Sequence, residues 1–278
     1  MEISVHLRVY LGNLEFQLTK MSTKTFSQEV AKLSIAERIL KAKETTEALT
    51  YKVLDVIELH EANKIIVYSD RLASQIPKSH AANAFTTFQN TMFNYEVIKC
   101  IALWDRADDN VISIPTVIEL IDDAEVLDSL INETRSAHLS LEPRILNPSE
   151  DPEIQAAVSE AVLRSQEEFS ASQAGKAHAG LVGALSMAKE IIQRERTTSI
   201  KNLRDHLAHN LIVTRAEQRG SIPNMKYGDE KNLLDISIRL VEDLYCWVNG
   251  TSFDIRTDCV ELAKRRAEEL WLNCRFDI

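Results

Sequence analysis

The chain has 278 residues, of which 45% are hydrophobic and 27% charged, a composition typical of soluble globular proteins and not of disordered or fibrous ones. Only 7 glycines and 6 prolines occur, so the sequence lacks the turns that a fold of many short strands needs. The formal net charge of −10 argues against binding nucleic acid over the whole surface, although it leaves room for a local basic site.

The cysteines and the apolar runs bear on the cellular compartment. The 4 cysteines form no C-x-x-C pair, which argues against a disulfide framework and against a structural zinc site. No apolar run approaches the roughly 18 residues of a membrane span, and no signal peptide is evident. We therefore expect a cytoplasmic protein with no membrane association.

The first twenty residues differ from the rest of the chain. Apolar residues alternate with polar or mixed ones from Ile3 to Leu11 and from Leu14 to Leu18, on either side of Gly12-Asn13. This period of two around a short turn predicts a β-hairpin. An alternative is that Met21 is the true start and that residues 1–20 come from an over-extended gene assignment. Both interpretations stay open at this point.

From Ser27 onward apolar residues recur at intervals of three and four, which predicts an all-α domain over residues 21–278. The first helix is expected to start at Ser27 and to run towards Glu61. The further predicted elements are an apolar run at 65–68 that continues or restarts this helix, helices over 79–106, 116–139 and 152–195, a short helix capped by Thr198 or Ser199, and helices over 229–250 and 254–273. Three prolines mark residues 140–152 as a linker and a candidate subdomain boundary.

Small residues cluster in the middle of the 152–195 helix. They are Ala171, Gly175, Ala179, Gly180 and Gly183. Small side chains allow two backbones to come close together, so this cluster predicts the near approach of another helix.

The segment whose side chains are best suited to catalysis or ligand binding is Leu203-Arg204-Asp205-His206-Leu207-Ala208-His209-Asn210. Arginine is a fixed cation whose planar fork matches phosphate oxygens, and histidine exchanges protons near neutral pH. Seven basic residues outnumber four acidic ones between positions 189 and 219. This local excess favours an anionic ligand, and Lys201 and Arg196 are the expected additional contacts to that ligand.

Helical geometry constrains how this segment works. Ile200, Leu203, Leu207 and Leu211 fall on one stripe that should face the core, with Arg204 at its edge. Asp205 and His209 are four residues apart, so the carboxylate can reach the imidazole and favour its protonated form. Arg204 and His209 do not converge on a straight helix. A working site therefore needs a bend or a second copy across a two-fold axis, which predicts a homodimer.

The same residues also have other interpretations. The segment is also compatible with an ordinary helix that has a flanking Arg and a solvated Asp–His pair. His206 and His209 could begin a metal site, but no carboxylate–His pattern accompanies them, so neither metal nor cofactor is predicted. Asp105 in Trp104-Asp105-Arg106 could lie near the site, whereas a helix-end Asp beside a packed Trp explains these residues without any function.

A second block of sequence, before the Arg204/His209 segment, is also informative. Residues 85–106, FTTFQNTMFNYEVIKCIALWDR, precede a polar loop and the segment ISIPTVIELI. Together with the Arg204/His209 motif, this block resembles the abortive-infection AbiU-type family of HEPN-domain proteins, over residues 79–215. The resemblance implies an up-and-down helical bundle, with additional C-terminal helices in this chain.

The same resemblance implies a metal-independent endoribonuclease of phage defence or toxin–antitoxin type, working as a dimer. His209 would act as general base or acid, Arg204 would hold the phosphate, and Asp205 would orient a partner group. The expected products carry a 2′,3′-cyclic phosphate and a 5′-hydroxyl. Some HEPN toxins have a Tyr two residues after the His, which an antitoxin modifies, but Leu211 stands there, so that control is not expected. An antitoxin partner of another kind stays open.

Two other functions remain as alternatives. One is a non-catalytic helical dimeric scaffold or RNA/nucleotide-binding regulator, whose motif stabilises the dimer. The other, less favoured, is a metal-dependent hydrolase.

Overall fold

The long helix α2 (Ile35–Ile66) is the central element of the bundle and contacts six other α-helices. The computed structural model describes residues 25–76, 80–139, 151–209 and 211–276. Within these ranges there are helices and no strands, so the all-α prediction is confirmed. The other helices are α1 (Phe26–Val30), α3 (Asp70–Ala73), α4 (His80–Ala102), α5 (Ile114–Ile121), α6 (Ala124–Leu139), α7 (Pro152–Gln193), α8 (Glu195–His209), α9 (Asp229–Asn249) and α10 (Glu261–Trp271).

A helix begins at Phe26, close to the predicted start at Ser27, but the prediction of one continuous helix towards Glu61 is wrong, because the chain forms two helices between positions 26 and 66. The chain divides into two units, residues 1–33 and 34–278, and α1 belongs to the first. Helix α2 begins separately after Ser34, whose side chain accepts a hydrogen bond from the Glu37 backbone N–H at 3.3 Å. The Glu37 carboxylate accepts the Ser34 backbone N–H at 2.8 Å. This reciprocal capping box is a start signal that the periodicity alone did not reveal.

The predicted helix over 116–139 is also divided in two. Asp122 leaves the helical conformation, and the Asp123 carboxylate then accepts the backbone N–H groups of Glu125 and Val126 at the start of α6. Arg38 of α2 donates to Leu120 O at 2.9 Å and to Asp123 Oδ2 at 3.1 Å. A local cap and a contact from a distant helix therefore set the break.

Helices α6 and α7 pack against each other on either side of the predicted linker. Ser170 donates its hydroxyl to Arg135 O at 2.8 Å, and the His138 and Phe169 rings stack edge to face. Residues 140–150 lie outside the described ranges, so the subdomain boundary stays a prediction. The N-cap predicted at Asp151 is present, since its side chain accepts the Glu153 N–H at 2.9 Å.

The close approach predicted from the small residues of α7 occurs at one of them. A Cβ added to Gly180 would lie 2.1 Å from Nε1 of Trp247 on α9, whereas at Gly175 and Gly183 it would meet no atom within 4 Å.

Helix α9 ends at Gly250, whose positive φ of 71° suits glycine, and a π-helical turn, Ile255–Val260, precedes α10. None of the helices in the described residues has the length and apolar character that a bilayer span requires. The predicted β-hairpin of residues 1–20 lies outside the described residues.

Candidate functional site

The segment that follows α4 carries Asp105 at a well-anchored position. The neighbouring Trp104 is fully buried and donates its indole N–H to Ser237 Oγ of α9 at 2.8 Å. The backbone N–H of Ile114 donates to Leu103 O at 2.8 Å, which ties the start of α5 to the end of the preceding turn. Because Leu103 and Trp104 before it are buried and hydrogen-bonded, Asp105 is held at the surface with its side chain 34% exposed.

Helix α8 carries the motif, but it begins earlier than predicted. It starts at Glu195, one residue after the end of α7, so Thr198 and Ser199 are not its caps. Their hydroxyls instead donate to carbonyl groups one turn back, as in a helix interior, with Ser199 bonded to Glu195 O at 3.0 Å. The predicted caps are wrong because Arg194 alone, in an extended conformation, provides the break between the two helices.

The predicted apolar stripe of α8 is only partly confirmed. Ile200 is buried, whereas Leu203 and Leu207 are half-buried. Leu211 is exposed and lies beyond the last helical residue, His209, so its assignment to the core face was wrong. The stripe was extended by assuming that the helix continues for another turn.

Arg204 is held by two carboxylates. Its Nη1 donates to Asp105 Oδ1 at 2.8 Å, and its Nε donates to Asp205 Oδ1 at 2.7 Å, with the Arg204 side chain 22% exposed. Burial lowers the pKa of Arg204, but the hydrogen bonds and charges of Asp105 and then Asp205 outweigh it, so the pKa is raised overall. Of the two interpretations of Asp105, the contact agrees with the one that places it near the motif, and not with that of an ordinary helix-end residue.

Lys201 belongs to the same cluster, one turn before Arg204. Burial lowers the pKa of the Lys201 ammonium and the Arg204 charge adds to this effect, while Asp105 and Asp205 oppose it. Arg196 lies eight residues before Arg204, which is about 12 Å along the helix axis at a rise of 1.5 Å per residue. Its side chain is 71% exposed and lies 3.8 Å from Asp229 Oδ1. The structure thus brings Lys201, and not Arg196, into the Arg204 cluster.

His209 is the last residue of α8 and is exposed. Among the described residues it has no hydrogen-bond or ion-pair partner, and the predicted Asp205–His209 contact is absent because the Asp205 carboxylate bonds to Arg204. Arg204 and His209 are about 140° apart around the axis of this uninterrupted helix, at about 100° per residue. As expected, one copy of the helix does not bring them to a common face.

Both ring nitrogens of His206 make hydrogen bonds that were not predicted from the sequence. Its Nδ1 lies 2.6 Å from Leu211 O, and its Nε2 lies 3.0 Å from Glu217 Oε1. A carbonyl and a carboxylate can only accept, so both ring nitrogens must carry protons for both bonds to form. The hydrogen bonds with Glu217 and then with Leu211 O raise the pKa of His206, which favours this doubly protonated ring. His206 is therefore an anchor and not a free proton acceptor.

Glu217 connects the chain after the motif back to α8. Its carboxylate accepts the Thr214 backbone N–H at 2.8 Å and the Asn202 side-chain amide at 2.9 Å. The Thr214 N–H, then Asn202 and His206, lower the pKa of Glu217 to about 2. These bonds hold residues 211–217 against the helix. No regular spacing links Glu217 with Asn202 or His206, so the sequence offered no pattern that would have revealed the contact.

The chain after His209 presents apolar side chains to solvent. Leu211, Ile212 and Val213 are all exposed, and Ile212 is 95% exposed. Their backbone is held at Leu211 O by His206 and at Thr214 N by Glu217. An exposed apolar surface whose backbone is held by hydrogen bonds is suited to contact with another molecule.

The side chains around Arg204 are suited to anion binding and proton transfer. In the described residues, no group of three His, Cys, Asp or Glu side chains is arranged to hold a metal ion. Arg204 and Lys201 supply two cationic side chains, Asp105 and Asp205 balance them, and His209 adds an exposed imidazole at the end of the same helix.

A known protein family matches the part of the chain that contains these residues. A family model named HEPN_AbiU2, described as AbiU2, matches residues 39–270, which include α4, the Asp105 turn and the motif helix. Comparisons with curated proteins and with solved structures give no match. The family match spans most of the bundle and agrees with its all-α, HEPN-type architecture. The chain therefore belongs to the AbiU2 family of HEPN-domain proteins.

Proposed function

We propose that this protein is a cytoplasmic, metal-independent endoribonuclease of phage defence or toxin–antitoxin type. The observation that carries the proposal is the arrangement on α8. Two carboxylates orient the Arg204 guanidinium, and the same helix ends at the exposed imidazole of His209. An oriented guanidinium and an unengaged histidine are the two groups that cleavage of an RNA phosphodiester needs when no metal takes part.

The proposed reaction is an attack by the RNA on its own backbone. His209, in its neutral form, removes the proton from a ribose 2′-hydroxyl. The 2′-oxygen forms a bond to phosphorus, the bond from phosphorus to the 5′-oxygen breaks, and that oxygen takes up a proton from water, while His209 releases the proton it removed to water. The products are a 2′,3′-cyclic phosphate and a 5′-hydroxyl. Arg204 stabilises the charge that develops on the phosphate oxygens, and Lys201 adds a second positive charge.

The proposed active form is a homodimer. Arg204 and His209 of one copy lie on different sides of α8, so a composite site would pair Arg204 of one subunit with His209 of the other. The exposed apolar residues 211–213 begin two positions after His209, which supports an interface at this end of the helix. Burial of Ile212 against a second copy would place the two motif helices side by side.

The decisive experiment is cleavage of bulk cellular RNA by the purified protein in excess EDTA. Wild type should cleave and leave cyclic-phosphate ends, whereas His209→Ala should not. His178→Ala is the matched control, because His178 is also an exposed helical histidine but lies on α7, outside the cluster. Absence of cleavage by wild type, or equal cleavage by His209→Ala, would contradict the proposal.

A second candidate is a non-catalytic RNA- or nucleotide-binding regulator, or a dimeric scaffold. The charge balance of Arg204 and Lys201 by Asp105 and Asp205 favours it, because a balanced cluster suits a structural ion-pair network. This function predicts no cleavage by wild type and a dimer that weakens in Arg204→Ala.

A further inference from the structure

We infer that Asp105 is the positioning residue for Arg204 and determines which edge of the guanidinium meets the scissile phosphate. This inference rests on the proposed ribonuclease function and deepens it. Asp105 belongs to the turn after α4, 99 positions away from Arg204 in the chain. It is therefore not part of the motif helix that supplies Arg204, Asp205 and His209.

The donor inventory of Arg204 supports this role. A guanidinium has five N–H groups, of which Nε uses its single N–H on Asp205 and Nη1 uses one on Asp105. In the part of the chain that the structure describes, nothing accepts from Nη2. Two acceptors at different nitrogens fix the plane of the group, since a single acceptor would leave it free to rotate. Nη2 and the second Nη1 proton are left for a phosphate.

The two carboxylates are not equivalent as supports. Asp205 is the neighbour of Arg204 on the same helix and moves with it. Asp105 is fixed by another part of the bundle, because buried Trp104 beside it is bonded to Ser237 of α9. Asp105 therefore relates the Arg204 guanidinium to the body of the protein.

The charge of Asp105 also has a cost for substrate binding. Its carboxylate lies beside the group that must receive an anionic phosphate, and it opposes that approach electrostatically. Replacement by Asn would therefore have two opposite effects. The site would become more positive and bind RNA more tightly, while the less fixed guanidinium would stabilise the transition state less well.

The test compares Asp105→Asn with two variants. Asp105→Glu keeps the charge and should recover part of the lost rate. Asp108→Asn is the matched control, because Asp108 lies on the same polar segment and its carboxylate accepts the Asn110 N–H instead of contacting Arg204. We expect Asp105→Asn to lower kcat on the order of tenfold or more and to lower KM several-fold. Unchanged kcat and KM, or the same effect in Asp108→Asn, would overturn the inference.

A second measurement does not depend on cleavage. The Arg204 Nε–Hε resonance, assigned by its loss in Arg204→Lys, reports on the carboxylates around the guanidinium. It should shift in Asp105→Asn and remain in place in Asp108→Asn. Binding of an oligonucleotide with 2′-fluoro riboses, which cannot be cleaved, should tighten several-fold only in Asp105→Asn.

The two measurements separate the failure of this inference from the failure of the proposed function. If wild type does not cleave RNA but the resonance and the oligonucleotide affinity change as expected, Asp105 still positions Arg204 for an anion and only the ribonuclease proposal fails. If wild type cleaves and the resonance is the same in Asp105→Asn, the positioning role fails while the ribonuclease proposal stands.

Discussion

His206 Nε2 lies 3.0 Å from Glu217 Oε1, and this contact joins the motif helix to the chain that follows it. On its other side, His206 bonds to Leu211 O, two residues beyond His209. The imidazolium thus holds the segment that carries the exposed apolar residues 211–213. Through this contact, the protonation state of one side chain is coupled to the shape of the proposed dimer surface.

The first prediction is a pH-dependent contribution of His206 to stability. The pKa of His206 is raised above 6.5, so its contribution is complete below pH 6.5 and is lost as the pH rises through the raised value. The pKa of Glu217 is lowered from 4.5 to about 2, so its contribution is complete above pH 4.5 and is lost as the pH falls through about 2. Both contributions are therefore complete only between pH 4.5 and 6.5.

Urea unfolding of wild type and His206→Gln checks this dependence. The difference in unfolding free energy should be largest inside that window and should shrink at alkaline pH. His178→Gln, which changes an exposed histidine on α7, provides the control and should show a smaller difference. A His206→Gln difference that stays constant from acid to alkaline pH would contradict the assignment.

The second prediction concerns the proposed dimer. Ile212 is 95% exposed, so Ile212→Asp should leave the fold intact while it places a charge in the apolar interface. We expect the dimer dissociation constant to rise on the order of tenfold or more, since about 1.4 kcal/mol corresponds to each factor of ten. Sedimentation equilibrium measures the change. Leu270→Asp, on the exposed side of α10, is the control, and an equal effect of both variants would show that the interface lies elsewhere.

The third prediction separates the charge of Arg204 from its shape. Arg204→Lys keeps the positive charge but cannot bond to two carboxylates and a phosphate through one planar group. RNA cleavage should fall on the order of a hundredfold, as for the loss of one oriented donor at a transition state. Arg164→Lys is the matched control, because Arg164 pairs with Glu160 in an exposed i,i+4 bridge on α7. Full activity in Arg204→Lys would mean that charge alone is sufficient.

The fourth prediction tests the contact between α7 and α9. Gly180→Ala places a methyl group against the Trp247 ring and should destabilise the protein by about 1–3 kcal/mol, the usual range for overpacking. Gly183→Ala meets no atom within 4 Å and should instead stabilise the helix by about 0.5–1 kcal/mol. Thermal unfolding of the two variants gives the comparison. A stabilising Gly180→Ala would show that the Trp247 ring moves aside freely.

Local patterns predicted most of the helices but placed several boundaries wrongly. The apolar period of α4, α7 and α9 extends over many residues, so helix type was clear from it. The break at Ser34 depends on a local cap, and the break at Asp122-Asp123 depends on a cap and on the contact from Arg38, within continuing apolar patterns, which is why two pairs of helices were each predicted as one helix. Helix α8 ends at His209, and the chain beyond it is bonded back to the helix through His206 and Leu211 O, a contact about which periodicity carries no information.

The sequence by itself determined the all-α class, the family resemblance, and the spacing of Arg204 and His209 on one helix, because helical geometry converts spacing along the chain directly into position around an axis. Only the tertiary structure decided which groups surround Arg204 and His206. Asp105 and Glu217 reach them from outside α8, at separations of 99 and 11 residues. Such contacts depend on how α4, α8 and α9 pack and on how the chain turns back after His209. The burial of Trp104 and Ile200 drives that packing, and it places Asp105 beside Arg204 although no pattern along the chain relates the two.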